Sequence, residues 1–431
     1  MVKLQKEYLK KLVQGYSGDI TMKKLLYRYY KNIRHNTRLL LESNDVINEI
    51  YLKNKNRVLI NKFGKCKIND KKIVFSNYMG RGYGCNCKYL AEELLRQNND
   101  YDLVWVINPN EDVSIFPKGI RVVDYTSEDA LYELMTAKFW ISNYHLSYFI
   151  KKGLIKRDEQ IYIQMWHGSF GIKKIERHAV AKMESKMWLK VAMLNSRMTS
   201  YWISNSNFET NVYKNAFWDV ENIKLLGHPR NDIFFKDNML LENKVLAKYN
   251  GDKKKNIVLY MTTFREDNRL DCYNIDVEKL CNKLKEKFGG DWVLLIRLHP
   301  RIVKLKEQFF ASVDNEHVYD VTFYDDVQEL LAVADVMISD YSSCIFDYLL
   351  TFKPAFIYAT DIEEYNKERG FYYSLYDTPF SIAKNNGELL DAIDKFNEEQ
   401  YKTKVKEFLD EKGSVEDGKA AEKIVEFIGR L

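Results

Sequence analysis

A histidine followed by a glycine-rich loop and two lysines is the part of this sequence best suited to chemistry. His167 follows the apolar run IYIQMW, and the loop 167–171 (HGSFG) leads to Lys173 and Lys174. A tight turn needs glycine, but it needs neither a histidine nor paired cations. A neutral imidazole with a pKa near ~6.5 is a common general base for a hydroxyl group. His167 is therefore a candidate base, and the lysines are candidate phosphate ligands unless they form a solvated pair.

Loops that follow later apolar runs carry arginines, histidines and hydroxyl groups. They are Gly227-His228-Pro229-Arg230, Thr262-Thr263-Phe264-Arg265, Arg297-Leu298-His299-Pro300 and Ser339-Asp340-Tyr341-Ser342-Ser343. An arginine can bind a phosphate through two parallel hydrogen bonds, and a helix that starts at paired serines favours an anion. Helix capping alone is the alternative for the serines. Together the loops predict a site for an anionic phosphate group.

Alternating β-rich and helical runs from residue 71 onward must position these loops. This alternation predicts an α/β fold with parallel, doubly wound sheets, in which ligands bind at the carboxyl ends of the strands. The length of 431 residues fits two domains. We predict a basic helical leader at 1–68, an N-terminal Rossmann-like lobe at 69–220 that carries the base, and a C-terminal Rossmann-like lobe at 221–431 that carries the phosphate-binding loops. The segment 176–198 is predicted to be one helix, packed in the core or lying in a membrane surface.

Composition and charge indicate a folded protein with an anionic partner. Hydrophobic residues make up 46% of the chain and charged residues 29%, as in soluble globular proteins. Residues 1–40 contain ten Lys or Arg against Glu7 and Asp19, which favours an anionic membrane surface, a nucleic acid or an anionic polymer. No signal peptide and no apolar run of the ~18–20 residues that a membrane span needs is present. We therefore expect any membrane contact to be peripheral, on the cytoplasmic face.

Several other chemistries lack their sequence patterns. The chain has no GxSxG elbow, no GxxxxGK[ST] loop and no GxGxxG fingerprint. The motif Asp100-Tyr101-Asp102 precedes its strand, at the wrong end of a sheet for a metal site. The six cysteines form no CxxC pair and are expected to be reduced thiols, and no residue cluster has zinc-ligand spacing. We predict neither a metal nor a cofactor.

Five motifs in order resemble those of a known family. They are HGSFGIKK, GHPRND, TTFRED, RLHP and SDYSSCIFDYLLTFKP, within a similarity that runs from about residue 71 to 410. The set resembles the CDP-glycerol glycerophosphotransferases, which build the poly(glycerol phosphate) or related backbones of teichoic acids and some capsules. The resemblance implies a GT-B-like pair of Rossmann lobes, with CDP-glycerol held mainly by the C-terminal lobe.

The resemblance also implies roles for individual residues. The histidine of the family's His-Gly-Thr motif falls on His167, and the histidine of the later strand end falls on His299, which gives both as catalytic. Donor-binding residues by the same comparison are Gly168, Ser169, Phe170, Gly171, Arg230, Thr263, Phe264, Arg265, Arg297, Leu298, Ser342, Ser343 and Asp347. Lys173, Lys174 and Arg81 are expected at an acceptor or at a phosphate.

Departures from the family motifs leave the donor's polyol undecided. The family's His-Gly-Thr-Pro is His-Gly-Ser-Phe here, its Thr-Trp-Arg is Thr-Phe-Arg, and its Gly-Tyr-Pro-Arg is Gly-His-Pro-Arg. The expected reaction transfers glycerol phosphate from CDP-glycerol to a hydroxyl of a membrane-linked polyol phosphate or glycan, and releases CMP. A CDP-ribitol transferase and a GT-B glycosyltransferase that uses a nucleotide sugar are the alternatives. A nucleic acid is not expected as a partner.

Overall fold

The computed structural model describes residues 44–98, 100–182, 185–249, 255–267, 269–313 and 316–431. Of the predicted basic helical leader at 1–68, residues 1–43 lie outside the described part of the chain. From there on, helix α1 (Asp45–Phe63) begins behind Asn44, whose side chain accepts hydrogen bonds from the first turn. Among the described residues, no helix has the combined length and hydropathy that crossing a bilayer requires.

The first lobe is built on a 7-stranded sheet whose strands are all parallel. In chain order the strands are β1 (Asn69–Ser76), β2 (Asp102–Ile107), β3 (Ile120–Asp124), β4 (Ala137–Ser142), β5 (Ile161–Gln164), β6 (Tyr201–Ser204) and β7 (Ile223–Leu225). Their order across the sheet is β3-β2-β1-β4-β5-β6-β7. The helices between them are α2 (Cys85–Arg96), α3 (Glu128–Thr136), α4 (Ser147–Lys152), α5 (Lys186–Met198) and α6 (Asn207–Ala216).

The second lobe is built on a 6-stranded parallel sheet of order β10-β9-β8-β11-β12-β13. Its strands are β8 (Asn256–Met261), β9 (Trp292–Arg297), β10 (Val318–Asp320), β11 (Val336–Ser339), β12 (Ala355–Tyr358) and β13 (Ser381–Ala383). The remaining helices are α7 (Met239–Tyr249), α8 (Val277–Phe288), α9 (Lys306–Ser312), α10 (Val327–Val333), α11 (Cys344–Tyr348), α12 (Ile362–Arg369), α13 (Asn386–Asp394), α14 (Glu398–Lys412) and α15 (Ala420–Ile428). The apolar runs of β8 and β9 are buried on both faces, as parallel strands covered by helices require.

The structure corrects the predicted boundary between the lobes in two places. Strand β7 was expected to open the second lobe, but Ile223 pairs with Trp202 of β6 in the first sheet. The last helix, α15, also returns to the first lobe, where Ile424 and Ile428 share a core with Ile73. A short strand and a terminal helix both find their partners through tertiary packing, which periodicity along the chain does not reveal.

The segment 176–198 is divided in two, although one helix was predicted. A 3-10 helix (Glu176–Lys182) comes first, and α5 begins at Lys186 after Ser185, whose hydroxyl accepts a hydrogen bond from the Trp188 amide. Met187 and Val191 of α5 are buried in the core of the first lobe. Core packing therefore accounts for this part of the apolar stripe.

Candidate active site

His167 lies just beyond the carboxyl end of β5, in a conformation that leaves one ring nitrogen as an acceptor. The chain turns at Trp166, whose φ of 48° is in the left-handed region. The Nδ1 atom of His167 is 2.9 Å from the carbonyl oxygen of Asn143, which follows β4. Because a carbonyl can only accept, Nδ1 carries the proton and Nε2 presents a lone pair. This is the tautomer that a general base needs.

The surroundings of His167 keep its imidazole neutral. Burial lowers the pKa of His167 to about 4, the hydrogen bond to Asn143 opposes this shift, and the positive charges of Arg230 and Lys173 add to it. The ring centroid is 5.4 Å from that of Tyr78 and 4.5 Å from that of Trp166. An aromatic enclosure and nearby cations both disfavour the imidazolium form. The base is therefore unprotonated at neutral pH.

Arg230 binds the glycine-rich loop through buried hydrogen bonds. Its Nη2 atom donates to the Gly168 carbonyl oxygen at 2.7 Å and to the Ser169 hydroxyl at 2.9 Å. Its Nε atom donates to Oδ2 of Asp347 at 3.0 Å, and the Ser169 hydroxyl donates to the same carboxylate. Asp347 lies on α11, in the second lobe. These three predicted donor ligands are buried and bind one another, which ties the loop of the base to the other lobe.

The chain after Ser169 crosses to the second lobe. Phe170 is fully buried in the core of the second lobe, and its carbonyl oxygen accepts a hydrogen bond from the Tyr373 hydroxyl. The Tyr372 amide donates to the Ile172 carbonyl at 2.8 Å. A Cβ atom added at Gly171 would lie 3.2 Å from that of Ser343, so the glycine permits this close approach. The prediction that Phe170 contacts the donor is corrected, because its ring is enclosed by core residues.

Arg265 is likewise engaged within the protein. Its Nε and Nη2 atoms donate to Asp361 at 2.6 and 2.9 Å, and Nη1 donates to Asp340 at 3.0 Å. Asp340 also accepts from the amide and the hydroxyl of Thr263. Arg265 is 3% exposed. We correct its predicted role as a donor ligand: two carboxylates neutralise the guanidinium, which fixes the loop after β8.

Arg297 lies at the carboxyl end of β9 and is half-buried. Its Nη1 atom donates to the carbonyl oxygens of Val321 at 3.1 Å and Tyr324 at 2.5 Å. Burial lowers the pKa of this guanidinium. Both of these hydrogen bonds go to neutral carbonyls and use one terminal nitrogen, in contrast to the carboxylate pairs of Arg230 and Arg265. Its charge therefore remains suited to an anionic ligand.

His299 and Phe264 are adjacent at the same edge of the second sheet. Their ring centroids are 4.9 Å apart, and the Nδ1 atom of His299 accepts from the Arg301 amide at 3.2 Å. The Arg301 guanidinium lies 4.3 Å from the Phe264 ring centroid. Leu298 is buried, so its side chain belongs to the core rather than to a donor contact. Arg301 was missed by sequence reasoning, although it directly follows the RLHP motif.

The remaining predicted residues line the region between these loops. Ser342 and Ser343 are half-buried at the start of α11, where the Ser342 hydroxyl lies 2.9 Å from the Cys344 sulfur. Lys173 is half-buried and lies close enough to Cys344 to oppose the rise of its thiol pKa, which burial sets at about 12. Lys174 is exposed. The structure thus places Lys173 within electrostatic reach of Cys344, the residue that follows the two serines.

Tyr144 marks where the two lobes face each other. Burial raises the pKa of its phenol, and the cations Arg301 and Arg81 oppose that rise from the second and the first lobe. Its ring centroid is 5.3 Å from that of His167. The predicted cation Arg81 and the missed cation Arg301 therefore both act on Tyr144, whose ring packs against the base. Within the described ranges, no three His, Cys, Asp or Glu side chains are placed to hold a metal ion.

The chain is similar to a known protein family along most of its length. The sequence profile of the CDP-Glycerol:Poly(glycerophosphate) glycerophosphotransferases matches residues 58–430. The chain belongs to this family. The resemblance drawn from the five motifs is confirmed by this match, which covers both lobes of the structure.

Two curated relatives and one solved structure of the family illustrate the similarity. The chain is 29% identical over 420 residues to the teichoic acid poly(glycerol phosphate) polymerase of Staphylococcus epidermidis, covering 93% of this chain and 55% of that protein. It is 26% identical over 382 residues to the teichoic acid poly(ribitol-phosphate) polymerase of Bacillus spizizenii, covering 84% of this chain and 56% of that protein. The chain thus spans about half the length of these relatives.

The solved structure is that of a variant of the wall teichoic acid polymerase TagF soaked with CDPG. It superposes with a TM-score of 0.74 at 26% identity, over 94% of this chain and 98% of that one. The predicted GT-B-like architecture of two Rossmann-like lobes is confirmed by this superposition and by the two parallel sheets.

Proposed function

We propose that the chain transfers glycerol phosphate from CDP-glycerol to a hydroxyl group of a polyol-phosphate acceptor and releases CMP. The position of His167 carries this proposal, because its Nε2 lone pair lies at the strand ends where the lobes face each other. The family match and the CDPG-soaked relative support the choice of donor.

The reaction is a displacement at the β-phosphorus of the donor. The acceptor hydroxyl transfers its proton to Nε2 of His167 while its oxygen forms a bond to the phosphorus. The bond from that phosphorus to the bridging oxygen breaks, and CMP leaves with the electron pair. Arg297, His299 and the start of α11 at Ser342 and Ser343 stabilise the charge on the diphosphate and on the leaving CMP. Positioning and electrostatic stabilisation supply most of the catalysis in such phosphoryl transfers.

The acceptor and the cellular location are part of the same proposal. We propose a lipid-linked polyol phosphate or glycan at the cytoplasmic face of the membrane, in the synthesis of teichoic acid or a capsular polymer. The ten Lys or Arg of residues 1–40 support an anionic membrane surface as partner. Lys173 acts electrostatically on His167 and Arg81 on the neighbouring Tyr144, and both cations suit the phosphates of an acceptor chain. The prediction that no metal and no cofactor takes part remains a proposal.

A CDP-ribitol transferase is the second candidate function. The poly(ribitol-phosphate) polymerase of Bacillus spizizenii is 26% identical to this chain, close to the 29% of the poly(glycerol phosphate) polymerase. A ribitol donor has the same CDP group and the same reacting phosphorus, so the residues named above would serve either donor.

A donor screen tests the proposal. The purified chain is incubated with a lipid-linked glycerol-phosphate acceptor and, in parallel, with CDP-glycerol, CDP-ribitol or a UDP-sugar, and nucleotide release is followed over time. We expect CMP release that depends on the acceptor and is fastest with CDP-glycerol. If CMP release is fastest from CDP-ribitol, the donor is CDP-ribitol and not CDP-glycerol. If only the UDP-sugar releases its nucleotide, the proposed reaction class is wrong.

The pH dependence of kcat/KM should reflect the lowered pKa of His167. The base must be unprotonated, so activity is lost as the pH falls through the pKa of the group in the free enzyme. With that pKa at about 4, kcat/KM for CMP release should stay nearly constant from about pH 7 down to about pH 5. An acid limb near the ordinary histidine pKa of ~6.5 would contradict the assignment. Samples held at the lowest pH and assayed at neutral pH control for unfolding.

A further inference from the structure

The segment between α14 and α15 returns to the first lobe and inserts a carboxylate beside the loop of the base. The Val415 amide donates to the Asn205 carbonyl oxygen at 3.0 Å, and the Asn207 amide donates to that of Gly413 at 3.1 Å. These hydrogen bonds fix the backbone immediately before Glu416, a residue that neither the sequence motifs nor the comparisons assign to a role. The main chain therefore fixes the point from which the Glu416 side chain extends.

Glu416 accepts hydrogen bonds from three fully buried residues. Its Oε1 atom accepts from Nδ2 of Asn231 at 2.7 Å and from Nδ2 of Asn205 at 3.0 Å. Its Oε2 atom accepts from the His228 amide at 3.2 Å. Asn231, Asn205 and His228 are each 0% exposed. Two buried amide side chains are thus oriented by a single carboxylate.

The same amides connect Glu416 to the loop that carries His167. Nδ2 of Asn205 also donates to the Ser169 hydroxyl at 3.2 Å, and Nδ2 of Asn231 reaches Oδ1 of Asp347 at 3.4 Å. The Ser169 hydroxyl also donates a hydrogen bond to Asp347 and accepts one from Arg230. Two hydrogen bonds, both made by Asn205, therefore connect Glu416 to Ser169 in the loop of His167.

A base in this position needs a rigid loop. Displacing a catalytic group by about 1 Å can lower a rate by about 10²-fold, even when the change lies far from the reacting atoms. The glycines of the loop have no side chains that could fix it, so the hydrogen bonds to the Ser169 hydroxyl and the Gly168 carbonyl oxygen add to the anchoring by His167 and Phe170. Ser169 donates one hydrogen bond and accepts two, which uses the full capacity of a hydroxyl.

We infer that Glu416 is a positioning residue, which holds Asn205 and Asn231 in the orientation that fixes the loop 167–171. The segment 413–416, close to the carboxyl end of the chain, thus completes the active site of the first lobe. The kinetic consequence rests on the proposed function, whereas the effect on the loop does not.

The test compares Glu416→Ala with Glu416→Gln in the full chain. Glutamine retains an oxygen that can accept from both asparagines, whereas alanine removes the acceptor. We expect Glu416→Ala to lower kcat for CMP release by about 10-fold to 100-fold, to change the KM for CDP-glycerol by less than about threefold, and to speed amide hydrogen exchange in peptides of the loop 167–171. Glu416→Gln should restore kcat to within about threefold of the wild type.

Glu411→Ala is the matched control, because Glu411 is an exposed carboxylate in the last turn of α14, just before this segment. It should leave kcat and loop exchange unchanged. Wild-type kcat and wild-type loop exchange in Glu416→Ala would overturn the inference, and so would a loss of thermal stability without a change in either. If the wild-type chain releases no CMP from any donor, the proposed function fails, and loop exchange in Glu416→Ala still decides whether Glu416 fixes the loop.

Discussion

Replacing His167 with asparagine should lower kcat for CMP release by about 10²-fold to 10⁴-fold, the range that general acid–base catalysis contributes. Asparagine can still donate a hydrogen bond toward the Asn143 carbonyl oxygen, so the loop keeps its anchor. It has no basic nitrogen in the place of Nε2, so the acceptor hydroxyl must lose its proton to water. The donor should bind as in the wild type, which leaves its KM nearly unchanged.

A second histidine provides the control for this substitution. His178 follows the loop 167–171 along the chain and is exposed. Its Nδ1 atom lies 2.9 Å from the Tyr372 hydroxyl, away from the strand ends. His178→Asn should retain wild-type kcat, and both variants should unfold at the wild-type temperature. A kcat of His167→Asn within about threefold of the wild type would show that another group accepts the proton.

The sequence reveals the position of the base because the signal is local. Apolar runs of strand length place HGSFG, RLHP and SDYSS at the carboxyl ends of β5, β9 and β11. In a parallel sheet those ends lie along one edge, so the two histidines and the serines could be assigned to the cleft before any coordinates were known. The hydrophobic pattern of the strands and the residues that end them are sufficient for that assignment.

The partners of the arginines could not be predicted in the same way. Arg265 is neutralised by Asp361, 96 residues further along the chain, and Ser169 bonds to Asp347 over a separation of 178 residues. A motif shows that a cation is present, but whether it faces a ligand or a carboxylate depends on tertiary contacts. Arg265 and Phe170 therefore stabilise the loops of the site through contacts inside the protein, although the motifs suggested direct contact with the donor.

Replacing Arg230 with methionine should destabilise the protein by about 3–5 kcal/mol, since it leaves a buried carboxylate without its partner. The side chains of Arg230 and Asp347 are 3% and 6% exposed. Methionine fills a similar volume but donates to neither Asp347 nor the Gly168 carbonyl oxygen. The free energy of unfolding from urea titration measures this loss. Arg197→Met removes the exposed pair with Asp219 and should cost less than about 1 kcal/mol.

The double variant Arg230→Met with Asp347→Asn separates the stability of the buried pair from its effect on the loop. Asparagine removes the unpaired charge and keeps an oxygen that can accept from the Ser169 hydroxyl, so much of the lost stability should return. The Gly168 carbonyl still lacks its donor, so kcat should remain at least about 10-fold below the wild type because the loop of the base is less well fixed. If kcat recovered together with stability, the role of Arg230 would be confined to neutralising Asp347. Loss of kcat despite restored stability would instead show that the hydrogen bond to Gly168 positions His167, as the 2.7 Å contact indicates.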